Sequence, residues 1–98
     1  MTTNTREAIM ATITSEYPGL TAAAQRVRLA AALERLGSVT TFEAMRFLDI
    51  YDPRPRKLEL LEAGYQIAMV KEYATTESGE MHRIGRYVLK AIPQEAKP

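Results

Sequence analysis

Apolar positions repeat at helical spacing through the first two thirds of the chain and alternate beyond it. Asn4-Thr5-Arg6-Glu7 has the cap-then-glutamate spacing of a helix start, after which Ile9, Ile13 and Tyr17 recur every four residues until Pro18-Gly19. A second helix is expected from Thr21 to Leu36, where alanine content is high, Leu29, Leu33 and Leu36 line one side, and Gly37 provides the stop. Its arginines, Arg26, Arg28 and Arg35, read as solvated charges. Thr40 with Glu43 forms a capping box for a short third helix, with Phe42, Met45 and Phe47 or Leu48 as its buried side.

A tight break at Leu48 to Tyr51 precedes a fourth helix. Asp52 suits its N-cap, and Pro53 suits the first helical position because the missing N–H would be unpaired there. Pro55 is still in the first turn, and the helix is expected to reach Ala63 and stop at Gly64. From Tyr65 the period becomes two. Ile67, Met69 and Tyr73 share one parity; Tyr87 and Leu89 share one, and Ile84 and Val88 the other, in Met81 to Leu89. With the polar stretch Thr75 to Glu80 between them, the two runs predict a β-hairpin. The chain then divides into an N-terminal helix and linker (1–20), a main domain (21–92) and a flexible tail (93–98).

Composition narrows the class. A chain of 98 residues, 46% apolar and 26% charged, suits one globular domain, and no apolar run reaches the roughly 18 residues of a membrane span. The N-terminus lacks the basic-then-apolar layout of a signal peptide, so a cytoplasmic location in a bacterium or phage-infected cell is expected. With no cysteine, disulfides and thiolate metal sites are excluded. His82 is the sole histidine, and Glu59 with Glu62 and Glu77 with Glu80 come without any nucleophile signature. Neither an enzyme nor a cofactor is expected.

The net charge of +1 says little, whereas its placement says more. Arg54, Arg56 and Lys57 fall in the first turn of the fourth helix, and Met81 to Lys90 holds His82, Arg83, Arg86 and Lys90 without an acid. Ordinary solvated surface is the plain alternative for each cluster. Helices followed by a hairpin is the order of a winged helix, a mainly α fold with a small β-hairpin. Its last helix enters the major groove and its hairpin reaches the backbone or minor groove. Arginine can hydrogen-bond guanine in pairs, and Thr40 and Thr41 can contact phosphate.

The segment Ala24 to Leu89 resembles the small winged helix-turn-helix proteins common in phages and prophages. AQRVRLAAAL, GSVTTFEA, LDIYDPRPR, Glu59-Leu60, GYQI and HRIGRYVL carry the resemblance. It implies binding of double-stranded DNA by a small transcriptional regulator or a phage-type accessory factor in DNA transactions. Where that family places an aliphatic residue, four after Pro53, this chain has Lys57. A helical wheel at ~100° per residue sets Lys57 between Leu60 and Leu61, with a buried stem and an outward ammonium, and puts Arg54, Pro55, Leu58 and Glu62 outside. Arg56 either faces DNA or bridges to a neighbouring helix. The candidate DNA-binding residues are therefore Thr40, Thr41, Arg54, Pro55, Arg56, Lys57, Arg83 and Arg86.

The N-terminal stripe can pack within the chain or against a second copy. In the second case Ile9, Ile13 and Tyr17 are the homodimer contacts. The rival function is a protein-interaction module with a protein partner, for which Leu58, Leu61 and the N-terminal helix would serve.

Overall fold

The structure is a computed structural model and describes residues 5–94. In chain order it contains α1 (Arg6–Glu16), α2 (Ala22–Leu36), β1 (Ser38–Thr40), α3 (Thr41–Phe47), α4 (Pro53–Glu62), β2 (Gln66–Thr75) and β3 (Met81–Ala91). The caps follow the sequence closely. Thr21 and Asp52 cap α2 and α4, Thr40 and Glu43 form the complete capping box of α3, and Gly37 ends α2 in the left-handed region at φ 83°. Thr5 caps α1 through a bond from Ala8 N, while Asn4 lies outside the described residues. The break before α4 is sharp enough to hold Asp49 at φ 56°, a conformation that Asp tolerates better than most residues.

One core joins all the elements from α1 to α4 with the sheet. Met10 and Ile13 of α1 are fully buried together with Leu29, Leu33, Val39, Leu48 and Ile50, and Leu60 and Tyr87 close the cluster from α4 and β3. The α1 stripe is thus turned into the chain's own core: Ile13 is inaccessible, Ile9 is half-buried, and Tyr17 sits at the rim. In α3 the expected burial of Met45 fails, because Ala44 and Leu48 take the inner positions and Met45 is exposed.

The sheet has three strands, not two, in the order β1-β3-β2 and all antiparallel. Ser38, Val39 and Thr40 pair with Val88, Tyr87 and Arg86. A three-residue strand is too short to show alternation, so the sequence pattern alone did not reveal it. The β2–β3 ribbon is longer than expected and continues well past β1, which leaves a two-stranded arm in which residues 71–75 pair with residues 81–85 up to the hairpin turn. At the other end Pro93 is half-buried against Gly64: a Cβ on that glycine would come within 3.2 Å of the Pro93 Cβ. Residues 95–98 of the expected tail lie outside the described residues.

Arg28 is the largest correction. It is 1% exposed, and its guanidinium donates to the carbonyls of Leu48 (2.7 Å), Tyr17 (2.7 Å), Gly19 (2.8 Å) and Asp49 (3.3 Å). These oxygens belong to the α1–α2 loop and the break before α4, so one side chain ties both irregular segments to α2. Burial of a cation is tolerated here because its fork of donors is satisfied by backbone acceptors.

Candidate nucleic-acid interface

Asp52 builds the start of α4. Its Oδ1 accepts from the Arg54 backbone N at 3.1 Å, and the same carboxylate receives the Arg54 side chain twice, Nε to Oδ1 at 2.9 Å and Nη2 to Oδ2 at 3.0 Å. The side-chain bond from Arg54, followed by the backbone bond, holds the Asp52 carboxyl below its ordinary pKa. Arg54 nevertheless points into solvent, with 82% of its side chain exposed. Pro55 and Leu58 are exposed beside it.

Lys57 keeps a half-buried stem and sets its ammonium 5.4 Å from the centre of the Tyr87 ring, a cation–π contact. Arg56 turns the other way. Its side chain is only 16% exposed, and it donates to Glu59 (3.0 Å) and Gln25 (3.3 Å), while Glu59 also receives Arg26 at 3.0 Å. That network locks α4 to α2. Of the two readings of Arg56, the geometry places it in the bridge between helices.

Strand parity sorts the ribbon. The pairs Met69 with Tyr87, Lys71 with Gly85 and Tyr73 with Arg83 project on the face that Tyr87 shares with α4. Arg86 pairs with Val70 and projects on the opposite face, where Glu72 binds its guanidinium and Ser38 Oγ accepts from Nη1 at 2.8 Å. Arg83 and Arg86 therefore do not share a surface, and Arg86 is engaged within the chain. Thr40 is also withdrawn: it is 4% exposed and its hydroxyl caps α3. Thr41 Oγ1 accepts from Gly85 N at 3.3 Å, which sets the start of α3 beside the ribbon.

Two adjoining grooves run between α4 and the ribbon. One, of about 300 Å³, is lined by Arg54, Lys57, Leu58, Leu61, Met69 and Tyr87. The other, of about 270 Å³, brings Thr41, Lys71 and Arg83 to the same Arg54, Met69 and Tyr87. No carboxylate lines either one among the described residues. Lys71 was absent from the sequence-based candidates because it stands alone in β2; its parity with Arg83 across the hairpin was the available signal. Gly85 lets the Met69 side chain lie against β3, since a Cβ there would come within 2.7 Å of the Met69 sulfur.

Residues 24–91 match the family described as winged helix-turn-helix domain. The chain belongs to that family. In winged-helix terms α2, α3 and α4 are the three helices and the β2–β3 ribbon is the wing. No match is found among curated proteins or among solved structures. Among the described residues no helix is long and apolar enough to cross a membrane.

Proposed function

We propose that this winged helix binds double-stranded DNA, with the outer face of α4 in the major groove and the wing along the phosphate backbone, as a small transcriptional regulator or a phage-type accessory factor. The observation that carries this reading is the acid-free lining shared by Arg54, Lys57, Lys71 and Arg83. Most arginines are paired within the chain: Arg6 with Glu43, Arg26 and Arg56 with Glu59, Arg35 with Glu16, Arg46 with Glu77, Arg86 with Glu72, and Arg54 itself with Asp52 beside the groove. A near-neutral protein thus gathers Lys57, Lys71 and Arg83, none in an ion pair among the described residues, beside an Arg54 whose charge Asp52 partly offsets, and phosphate contacts require local rather than net charge. Thr41, Arg54, Lys57, Lys71 and Arg83 are its proposed contacts.

The test is a fluorescence titration of duplex DNA across salt concentrations. Binding should weaken linearly in log–log form, with a slope near −0.9 per phosphate neutralised. Binding that ignores salt would rule this reading out. The exposed Leu58, Leu61 and Met69 favour a second reading, a protein-interaction module. It requires a stoichiometric protein complex whose affinity falls on Leu58→Ala, with no duplex retained at low salt. A homodimer would supply two half-sites, and sedimentation across concentration decides it. Because Ile13 is buried, such a dimer would have to use other surfaces of α1.

A further inference from the structure

The first turn of α4 orients the Arg54 side chain as well as its backbone, both through Asp52. Asp52 is held as the helix cap, Pro53 and Pro55 restrict the backbone on either side of Arg54, and the carboxylate grips the Nε and Nη2 edge of the guanidinium. That grip leaves Nη1 and the outer N–H of Nη2 as a free, pre-aimed fork. Two parallel donors match the O6 and N7 acceptors that guanine presents in the major groove. Leu58 stands four residues further, about 6 Å along the helix and ~40° around it, which is just under two base steps. It is 56% exposed on the Arg54 side. The only apolar group on a major-groove edge is the thymine methyl.

We propose that α4 reads a guanine through Arg54 and a thymine methyl within two base steps of it through Leu58, and that Asp52 is the positioning residue that fixes the Arg54 fork. This rests on the DNA-binding reading above. The carboxylate carries a cost in general affinity, because its charge repels phosphate; its return is orientation of the arginine.

The experiment selects preferred duplexes from a randomised pool with the full chain. It then compares the selected duplex with versions carrying 7-deazaguanine, which lacks N7, or deoxyuridine, which lacks the methyl. For the unmodified protein, 7-deazaguanine should weaken binding about ten-fold and deoxyuridine about three-fold. Asp52→Asn keeps a good N-cap, so its thermal melt should be near normal, yet its penalty for 7-deazaguanine should shrink to about two-fold. Leu58→Ala should lose the deoxyuridine penalty and keep the 7-deazaguanine one. An undiminished 7-deazaguanine penalty in Asp52→Asn would reduce Asp52 to a cap. Equal binding of thymine and uracil duplexes by the unmodified protein would remove the role of Leu58. Tight, salt-dependent binding with no sequence preference overturns base reading and leaves DNA binding standing, whereas failure to bind any duplex overturns both.

Discussion

On one face of the β2–β3 ribbon Lys71 and Arg83 stand beside Arg54 without a carboxylate in the groove they line; on the other, Arg86 is held by Glu72 and Ser38. That second face looks onto α3, where a mixed surface includes Glu7, Glu43, Glu72, Arg46 and Arg86. Residues adjacent in the chain, Lys71 and Glu72, serve opposite surfaces because strand side chains alternate. Basic residues within one strand are therefore not one basic patch. Their parity, and the acids that meet them from other elements, decide which cations remain open to a partner.

Substitutions can break this contrast. The largest effect is expected for Arg54, Lys71 and Arg83 changed together to alanine: duplex affinity should fall by about 3 kcal/mol and the salt slope by about two, with little change in melting temperature. A near-normal titration for that variant would place the DNA elsewhere. Next comes Arg28→Met, which leaves the carbonyls of Leu48, Tyr17, Gly19 and Asp49 without their donor. Urea unfolding should show a loss of about 2–3 kcal/mol, partly recovered by Arg28→Lys, whose single ammonium cannot reproduce the fork.

A smaller effect separates the two ribbon arginines. Arg86→Ala should cost about 1 kcal/mol of stability by freeing Glu72 and Ser38, and should change duplex affinity less than about two-fold. Arg83→Ala should do the reverse, with stability held and affinity reduced. If both variants weaken DNA binding equally, the distinction between the faces is lost.

The smallest effect is pH dependence on the self-neutralised face. Burial pushes the Glu43 carboxyl up, but the hydrogen bond from Arg6, with the Thr40 backbone N–H, carries it below its ordinary value. A depressed folded value contributes stability above the unfolded pKa, roughly 4.3, and that contribution is lost as pH falls through the folded value. Glu43→Gln should therefore lose less stability than the unmodified protein between pH 7 and about 3. Parallel pH profiles would show that the ion pair contributes nothing to folding.

Helix order, caps and the hairpin were legible in the sequence because they rest on contacts a few residues apart. Thr40 with Glu43, Pro53 after Asp52 and Gly37 after Leu36 each state a local geometry. The wheel set Lys57 between Leu60 and Leu61 with an outward ammonium. Lys57 is half-buried beside the buried Leu60, but Leu61 is exposed and the ammonium lies over the Tyr87 ring, a partner from β3 that no wheel contains. The candidate site was legible only in part. Arg54, Lys57, Thr41 and Arg83 come together around the grooves, whereas Arg56, Arg86 and Thr40 are held within the chain.

The sequence by itself thus determined the run of elements, their ends and the winged order, all short-range consequences of backbone sterics and periodicity. Only the tertiary structure decided which charges are free. Arg28 finds Leu48 twenty residues away, Arg6 finds Glu43 across 37, and Arg86 finds Ser38 across 48. No local pattern encodes such partners. They are set when the core of Leu29, Leu33, Leu48 and Tyr87 closes and brings distant acids, carbonyls and cations to the same place.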